Sequence, residues 1–297
     1  MTVERQRDRA GRENEAMQNS STPLLLSNDD VEATMRREAV ARVDTSATAA
    51  ELHALRAFVL RKRDGYRARD CAAWDDGQTG ATARVDMPLP LGPPCVAAAL
   101  WRLVAAGTPS GDALGALAGG DALLYELAAL VSSPGCPPQA IHADSLFTRD
   151  PAIVTCFLAL QDVDEAMGPT RCLPKTHTRA AHDAWIAADD DTWAAAVAAL
   201  APRSAPLRAG EALLLDSRAL HCGGANVSDR TRALFYASFI LPGARATVGD
   251  REPTCLPTLD GAHTLAGLRR RTDPARARPP PAPAAAPSAA FLALARA

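Results

Sequence analysis

The sequence lacks the features that mark several large classes of protein. Its seven cysteines include no Cys-x-x-Cys pair, which argues against a disulfide framework or a structural zinc site. The formal net charge is only −2, so no strong attraction to nucleic acid or to an anionic membrane is expected. No apolar run is long enough to span a membrane, and the charged N-terminus lacks the apolar stretch of a signal peptide. These absences predict an intracellular, cytoplasmic protein without a nucleic-acid or membrane partner.

Several common catalytic motifs are missing as well. The pairs Gly119-Gly120 and Gly223-Gly224 are not followed by the Lys-Ser/Thr signature of a phosphate-binding loop. No Ser-His-Asp or Cys-His arrangement is evident, so nucleophilic hydrolysis is not indicated. What the chain does have is size and ordinary composition, with 297 residues of which 47% are hydrophobic. A chain of this kind can bury a substantial core.

Periodicity and capping residues predict a helical first part followed by a strand-rich middle. Thr48 and Glu51 form a capping-box pair in front of apolar residues at helical spacing. Further helices are expected at Ser27–Val43, Cys95–Ala106 and Gly111–Leu117, and a loop rich in glycine and proline at Asp75–Pro94. Strands are expected toward the end of Asp121–Val131 and at Ile153–Leu160, Arg171–Leu173, Leu213–Leu215 and Arg232–Leu241.

The spacing of these strands favours an antiparallel sandwich or barrel over alternating strand–helix units. Residues 28–270 are expected to form one mainly β domain, with a helical N-terminal part and a helical insertion near residues 180–201. The polar segment 1–27 and the tail 271–297, rich in proline and alanine, are expected to be disordered because neither can build a core.

One short segment, Gln139–Asp144, carries the strongest chemical signal. If it is a strand, His142 and Asp144 lie two residues apart and point to the same face. The apolar strand that follows Gly210 ends at a second histidine, His221. Two histidines and one carboxylate form the facial triad that holds non-haem Fe(II) and leaves positions open for substrate and oxygen.

Two arginines follow this second histidine. Arg230 and Arg232 lie nine and eleven residues after His221, and both have the same strand parity. The planar guanidinium of arginine binds a carboxylate through two parallel hydrogen bonds, which suits a dicarboxylate co-substrate. Arg232 is preferred, and Arg230 is the alternative if the strand is bulged.

The order and spacing of these motifs resemble the phytanoyl-CoA dioxygenase (PhyH) family. The resemblance covers about residues 120–243. The motifs that carry it are His142-x-Asp144, the strand Val154–Leu160, Gly168-Pro169, Pro174-x-x-His177, Gly210 with the leucine-rich strand to His221, Asn226-x-Ser228 and Arg232. The resemblance implies a double-stranded β-helix, the jelly-roll or cupin-like fold.

The resemblance also implies a chemistry. Fe(II) would be bound by His142, Asp144 and His221, and 2-oxoglutarate by Arg232. O₂ would be the second co-substrate, and ascorbate could support the activity. The expected reaction hydroxylates an organic substrate and releases succinate and CO₂. Halogenases of this type have Gly or Ala where this chain has Asp144, so hydroxylation is preferred. No C-terminal peroxisomal address or acyl-CoA signature is visible, and the family name does not identify the substrate.

The chain departs from the family pattern at one position in the co-substrate site. Family members often have Ser or Thr two residues after the second histidine, and this chain has Gly223. Tyr125, Arg149 and Phe157 are expected as walls of the substrate pocket.

Two other hypotheses remain: a cupin-like metal enzyme that does not use 2-oxoglutarate, and a barrel that binds or scaffolds without catalysis. The sequence does not predict the oligomeric state.

Overall fold

The computed structural model describes residues 17, 22–27, 30–65, 84–145, 147, 152–248 and 252–276. Within these ranges the chain forms two sheets flanked by helices. The strands are β1 Thr22–Pro23, β2 Val40–Asp44, β3 Arg84–Pro88, β4 Leu123–Ser132, β5 Ile153–Ala159, β6 Thr170–Cys172, β7 Arg203–Ala205, β8 Glu211–Asp216, β9 His221–Gly223 and β10 Arg232–Ile240. The helices are α1 Val31–Glu38, α2 Ala49–Asp64, α3 Pro94–Val104, α4 Pro109–Ala118, α5 Arg179–Ala187, α6 Asp190–Ala199 and α7 Leu265–Thr272.

The larger sheet has six strands in the order β2-β8-β5-β10-β4-β3, and the smaller sheet has four in the order β1-β7-β6-β9. Every pairing within the larger sheet is antiparallel, whereas β1 and β7 of the smaller sheet run parallel. Two mostly antiparallel sheets with flanking helices confirm the predicted jelly-roll class. No helix in the described part of the chain is long and apolar enough to cross a membrane.

Alternation along β10 decides which residues face the helices and which face the site. Ala233, Phe235, Ala237 and Phe239 belong to the main hydrophobic cluster, which also contains residues of α1 to α4 and α7. The residues between them point to the other face of the sheet, because successive strand side chains alternate. That second face carries the polar side chains of the cavity described below.

A second layer of helices covers the smaller sheet. Trp193 and Val197 of α6 are buried in a cluster with Ile141, Leu173 and Cys222. Cys222 follows His221 in β9, so this packing leaves the neighbouring histidine on the opposite face of the strand. The helices of residues 179–199 occur where a helical insertion was expected, and they support the strand that carries one candidate metal ligand.

Several observed elements differ from the sequence expectations. The first expected helix ends at Glu38, because Ala39 adopts a left-handed conformation with φ 65°, and Val40–Asp44 continues as a strand. Arg84–Pro88 is a strand inside the segment expected to be loop. Thr22–Pro23 pairs with β7, although residues 1–27 were expected to be disordered. The expected capping box of Thr48 and Glu51 is present at the start of α2.

Gly168 offers a first test of how the fold positions the site. Its φ is +67°, and a Cβ added there would lie 2.2 Å from the carbonyl oxygen of Ala225, just beyond β9. Gly107 has a similar φ of +81° but open space around it, so it is a matched control. We expect Gly168→Ala to lower the free energy of unfolding by about 2 kcal/mol more than Gly107→Ala, because overpacking adds to the cost of the left-handed backbone. Urea unfolding checks this, and equal costs would contradict it.

Candidate active site

The two candidate histidines lie directly opposite each other on adjacent backbone segments. The amide of His142 donates to the carbonyl of His221 over 3.0 Å, and the amide of His221 donates back over 2.9 Å. Such an opposed pair places both side chains on the same face. Gln139–Asp144 is not a regular strand, and a single bridge at His142 joins it to β9.

Asp144 brings its carboxylate to the two imidazole rings. Its Oδ1 lies 3.8 Å from Nε2 of His142, and its Oδ2 lies 3.7 Å from Nε2 of His221. These separations exceed a hydrogen bond, and one donor atom from each residue lies within 4.8 Å of the others. Three ligand atoms that surround one point without bonding to each other suit a metal ion.

Backbone carbonyls fix the orientation of both rings. Nδ1 of His142 is 2.9 Å from the carbonyl oxygen of Ala140, and Nδ1 of His221 is 3.0 Å from that of Ala219. A carbonyl can only accept, so each Nδ1 carries the proton and each Nε2 presents its lone pair toward Asp144. Metal-binding histidines characteristically have such a partner on the second nitrogen. The donor set therefore fits the iron that the sequence predicts.

Arg232 lies in the same cavity and is almost fully buried, with 1% of its surface exposed. Its Nη2 donates to Oγ of Ser132 over 2.9 Å, while Nε and Nη1 have no hydrogen-bond partner within the described part of the chain. Burial, and next the charge of Arg84, lower the pKa of Arg232 to about 9. A buried cation whose Nε and Nη1 have no partner among the described residues favours an anionic ligand.

Two further polar residues beside Arg232 were missed by the sequence analysis. Arg84 of β3 and Arg232 of β10 both pair with Ser132 of the intervening strand β4, so they occupy one row across the sheet. Oε1 of Gln139 accepts a hydrogen bond from the amide of Gly223 over 2.8 Å. A Cβ on Gly223 would lie 2.6 Å from that oxygen and 3.5 Å from Nη2 of each arginine. The absent side chain therefore leaves room where these three groups meet.

Arg230, the alternative anchor, lies elsewhere. Its side chain is 52% exposed and forms an ion pair with Asp164 on the surface. β10 begins only at Arg232, and the Asn226 side chain accepts from Ser228 and donates to the carbonyl of Arg230 in the preceding turn. Strand parity therefore does not extend back to Arg230, and of the two arginines only Arg232, the preferred one, lines the cavity.

The three expected wall residues have different positions. Phe157 lines the cavity, and its ring lies 5.1 Å from that of Tyr236. Tyr125 does not line it, because it packs in a separate cluster with Ile153 and Ile240, with Arg245 over its ring. Arg149 lies outside the described residues. Three wall residues that the sequence analysis missed are Asp86, Glu126 and Tyr236.

Comparison with known proteins identifies solved structures of similar fold. Three similar solved structures are the non-haem alpha-ketoglutarate-dependent epimerase SnoN and carbocyclase SnoK from nogalamycin biosynthesis, and AviO1 from Streptomyces viridochromogenes Tue57. SnoN is 21% identical with a TM-score of 0.55, covering 80% of this chain and 95% of its own. For SnoK the values are 22%, 0.52, 72% and 84%, and for AviO1 they are 18%, 0.53, 74% and 98%.

At these identities the similarity shows a shared fold. No curated protein matches the sequence. The family comparison is more specific, since residues 36–234 match the phytanoyl-CoA dioxygenase (PhyH) family. That match covers more than half of the chain, including both candidate histidines, Asp144 and Arg232. The chain therefore belongs to the phytanoyl-CoA dioxygenase family, whose cofactors are iron and 2-oxoglutarate.

Proposed function

We propose that this protein is an Fe(II)- and 2-oxoglutarate-dependent dioxygenase that hydroxylates a small organic substrate and releases succinate and CO₂. One observation carries the proposal: the His142, Asp144 and His221 donors and the buried guanidinium of Arg232 line a single cavity. Iron bound there would supply oxidative chemistry toward C–H bonds, using O₂ and 2-oxoglutarate. Residues 28–270 are proposed to form the single oxygenase domain.

The chain's own residues would bind the metal and orient the co-substrate. His142 and His221 would hold the ion through Nε2, while the carbonyls of Ala140 and Ala219 keep their rings in position. Arg232 would bind the distal carboxylate of 2-oxoglutarate through its unused N–H groups. Arg84 would add a second positive charge beside it, as its effect on the pKa of Arg232 indicates.

Hydroxylation is favoured over halogenation because Asp144 supplies the carboxylate at the third position. Two proteins of similar structure are an epimerase and a carbocyclase, so product analysis is needed to identify the reaction of this protein. Product that gains one oxygen atom from labelled O₂ supports hydroxylation. An isomerised or cyclised product without that atom assigns another outcome to the same iron and 2-oxoglutarate site.

Gly223 leads to a prediction about the co-substrate site. A serine there, as family members often have, would place Cβ 2.6 Å from Oε1 of Gln139 and displace that side chain. We expect Gly223→Ser to weaken 2-oxoglutarate binding about 3- to 10-fold, the cost of roughly one hydrogen bond. Titration calorimetry of the metal-loaded protein measures it.

A double variant separates the steric cause from other effects. Gln139→Ala removes the side chain that the serine would displace. In its presence Gly223→Ser should weaken 2-oxoglutarate binding much less, so the loss of binding free energy in the double variant is smaller than the sum of the two single losses. Tighter 2-oxoglutarate binding by the Gly223→Ser variant would contradict this prediction.

The decisive experiment is an anaerobic titration of the metal-free protein with Fe(II) and then 2-oxoglutarate. We expect the weak visible charge-transfer band of a bound 2-oxo acid, and its loss in His142→Ala and Arg232→Ala. Addition of O₂ should then give succinate. Iron binding without the band would favour a cupin-like metal enzyme, and failure to bind either one would favour a non-catalytic barrel.

A further inference from the structure

Two rows of residues, one on each sheet, line the cavity. The row on the larger sheet contains Arg84 and Arg232. The row on the smaller sheet is centred on Gly223 of β9. On one side Thr170 of β6 lies directly opposite Gly223, and on the other side the Gln139 amide donates to the Gly223 carbonyl over 2.9 Å. All five residues line the cavity, so the two rows enclose one volume between them.

Gly223 marks the place where the two rows approach each other. A Cβ there would lie 3.5 Å from Nη2 of Arg232 and 3.5 Å from Nη2 of Arg84. Directly opposed residues of antiparallel strands share one face of the sheet, and their Cβ atoms are about 5 Å apart. Thr170 therefore projects from the smaller sheet toward the arginine row, and a group bound at Arg232 lies within reach of its side chain.

Thr170 differs from the other two residues of its strand. Arg171 and Cys172 are buried, whereas Thr170 is partly exposed and lines the cavity. Its hydroxyl makes no hydrogen bond to another described residue. A threonine hydroxyl can donate one hydrogen bond and accept others. Thr170 can therefore donate to a ligand in the cavity without losing an internal contact.

The position of Thr170 relative to the metal ligands indicates which part of the co-substrate it would contact. His221 lies two residues before Gly223 on the same face of β9, at a strand distance of about 6.5 Å. The metal site and the space between Thr170 and Arg232 thus follow each other along one strand. A carboxylate has about four acceptor positions, so the two hydrogen bonds of a guanidinium leave others for a further donor.

We infer that Thr170 is a co-substrate-binding residue whose hydroxyl donates to the distal carboxylate of 2-oxoglutarate, while Arg232 binds the same carboxylate from the opposite sheet. This inference rests on the proposed function and adds a specificity-determining residue to it. In this arrangement the smaller sheet supplies metal ligands and also one donor to the far end of the co-substrate.

The test compares two substitutions of Thr170 by calorimetric titration of 2-oxoglutarate into the full chain loaded with Zn²⁺, which prevents turnover. Thr170→Val removes the hydroxyl and nearly keeps the shape, and it should weaken 2-oxoglutarate binding about tenfold, as expected for one hydrogen bond to a charged group. Thr170→Ser keeps the hydroxyl and should bind within about threefold of the wild type. If Thr170→Val does not fold, Thr170→Ala replaces it.

A second ligand separates carboxylate binding from a structural role. 2-Oxopentanoate has the carbon chain of 2-oxoglutarate with a methyl group in place of the distal carboxylate, so Thr170→Val should bind it as the wild type does. If it binds the wild type too weakly to titrate, the Zn²⁺ affinity of Thr170→Val, expected to be unchanged, is the control. Thr34→Val makes the same substitution on α1, outside the cavity, and should change neither affinity.

Three outcomes would overturn the inference: unchanged 2-oxoglutarate affinity in Thr170→Val, an equal loss in Thr170→Val and Thr170→Ser, or an equal loss for both ligands. Failure of the proposed function is seen separately, because binding of Zn²⁺ and 2-oxoglutarate to the wild type is measured first. If the wild type binds both and Thr170→Val binds them equally well, the role of Thr170 is wrong and the iron and 2-oxoglutarate site stands.

Discussion

Asp144→Ala is expected to lower the affinity for Fe(II) by about 100-fold or more and to reduce succinate formation to background. Asp144 is the one carboxylate of the described triad and lies between the Nε2 atoms of both histidines. Loss of groups that only orient metal ligands already costs 10- to 100-fold, so loss of a ligand costs at least as much. Fe(II) titration under anaerobic conditions and succinate quantification measure the two effects.

Asp183→Ala is the matched control for this prediction. Asp183 is an exposed carboxylate on α5, paired with Arg179, and its removal should leave iron binding unchanged. The metal-free Asp144→Ala protein should fold, but its melting temperature should no longer rise when Fe(II) is added. A variant that still binds iron as the wild type does would exclude Asp144 from the metal site.

Arg232→Leu is expected to weaken 2-oxoglutarate binding by roughly 30-fold to several thousand-fold, the range for truncating one partner of a buried charge pair. The same substitution should leave the ligand-free protein as stable as the wild type or make it more stable. The Arg232 guanidinium is buried, its Nε and Nη1 have no partner among the described residues, and Arg84 lies beside it. An apolar side chain of similar size removes that cost.

Opposite effects on binding and stability would distinguish an anion-binding arginine from a structural one. Calorimetry measures the affinity and urea unfolding measures the stability. Arg230→Leu is the control, since this nearby arginine is exposed and paired with Asp164. If Arg230→Leu loses 2-oxoglutarate while Arg232→Leu retains it, the carboxylate anchor has been assigned to the wrong arginine.

Local patterns in the sequence predicted the elements that depend on local interactions. The Thr48 and Glu51 capping box and the two-residue spacing of His142 and Asp144 involve neighbours along the chain, and the structure has both side-chain arrangements. The strand at Arg84–Pro88 was missed because it lies in a segment whose glycine and proline content predicted a loop. Its pairing with β4 outweighs that local preference.

Contacts between distant segments account for the residues that were missed at the site. Arg84 reaches Arg232 only through the cross-strand row at Ser132, and Asp86 reaches Tyr236 across 150 positions of sequence. Neither pairing leaves a local pattern, because register between strands depends on the whole sheet. The position of Arg230 outside the cavity has a similar origin, since the start of β10 is set by its partners and by the Asn226 turn.

The two ends of the proposed co-substrate site come from different layers of the molecule. His221 belongs to the smaller sheet, with His142 bridged to it, whereas Arg232 and Arg84 belong to the larger sheet. The distance between the packed sheets, about 10 Å in sandwiches of this kind, therefore sets the separation between the metal ligands and the arginines, and with it the co-substrate length that fits. Buried core residues such as Leu213 and Leu234 help to fix this distance between the sheets, although they are not among the proposed binding residues. Discrimination between 2-oxo diacids of different chain length is thus a property of core packing as much as of the binding residues.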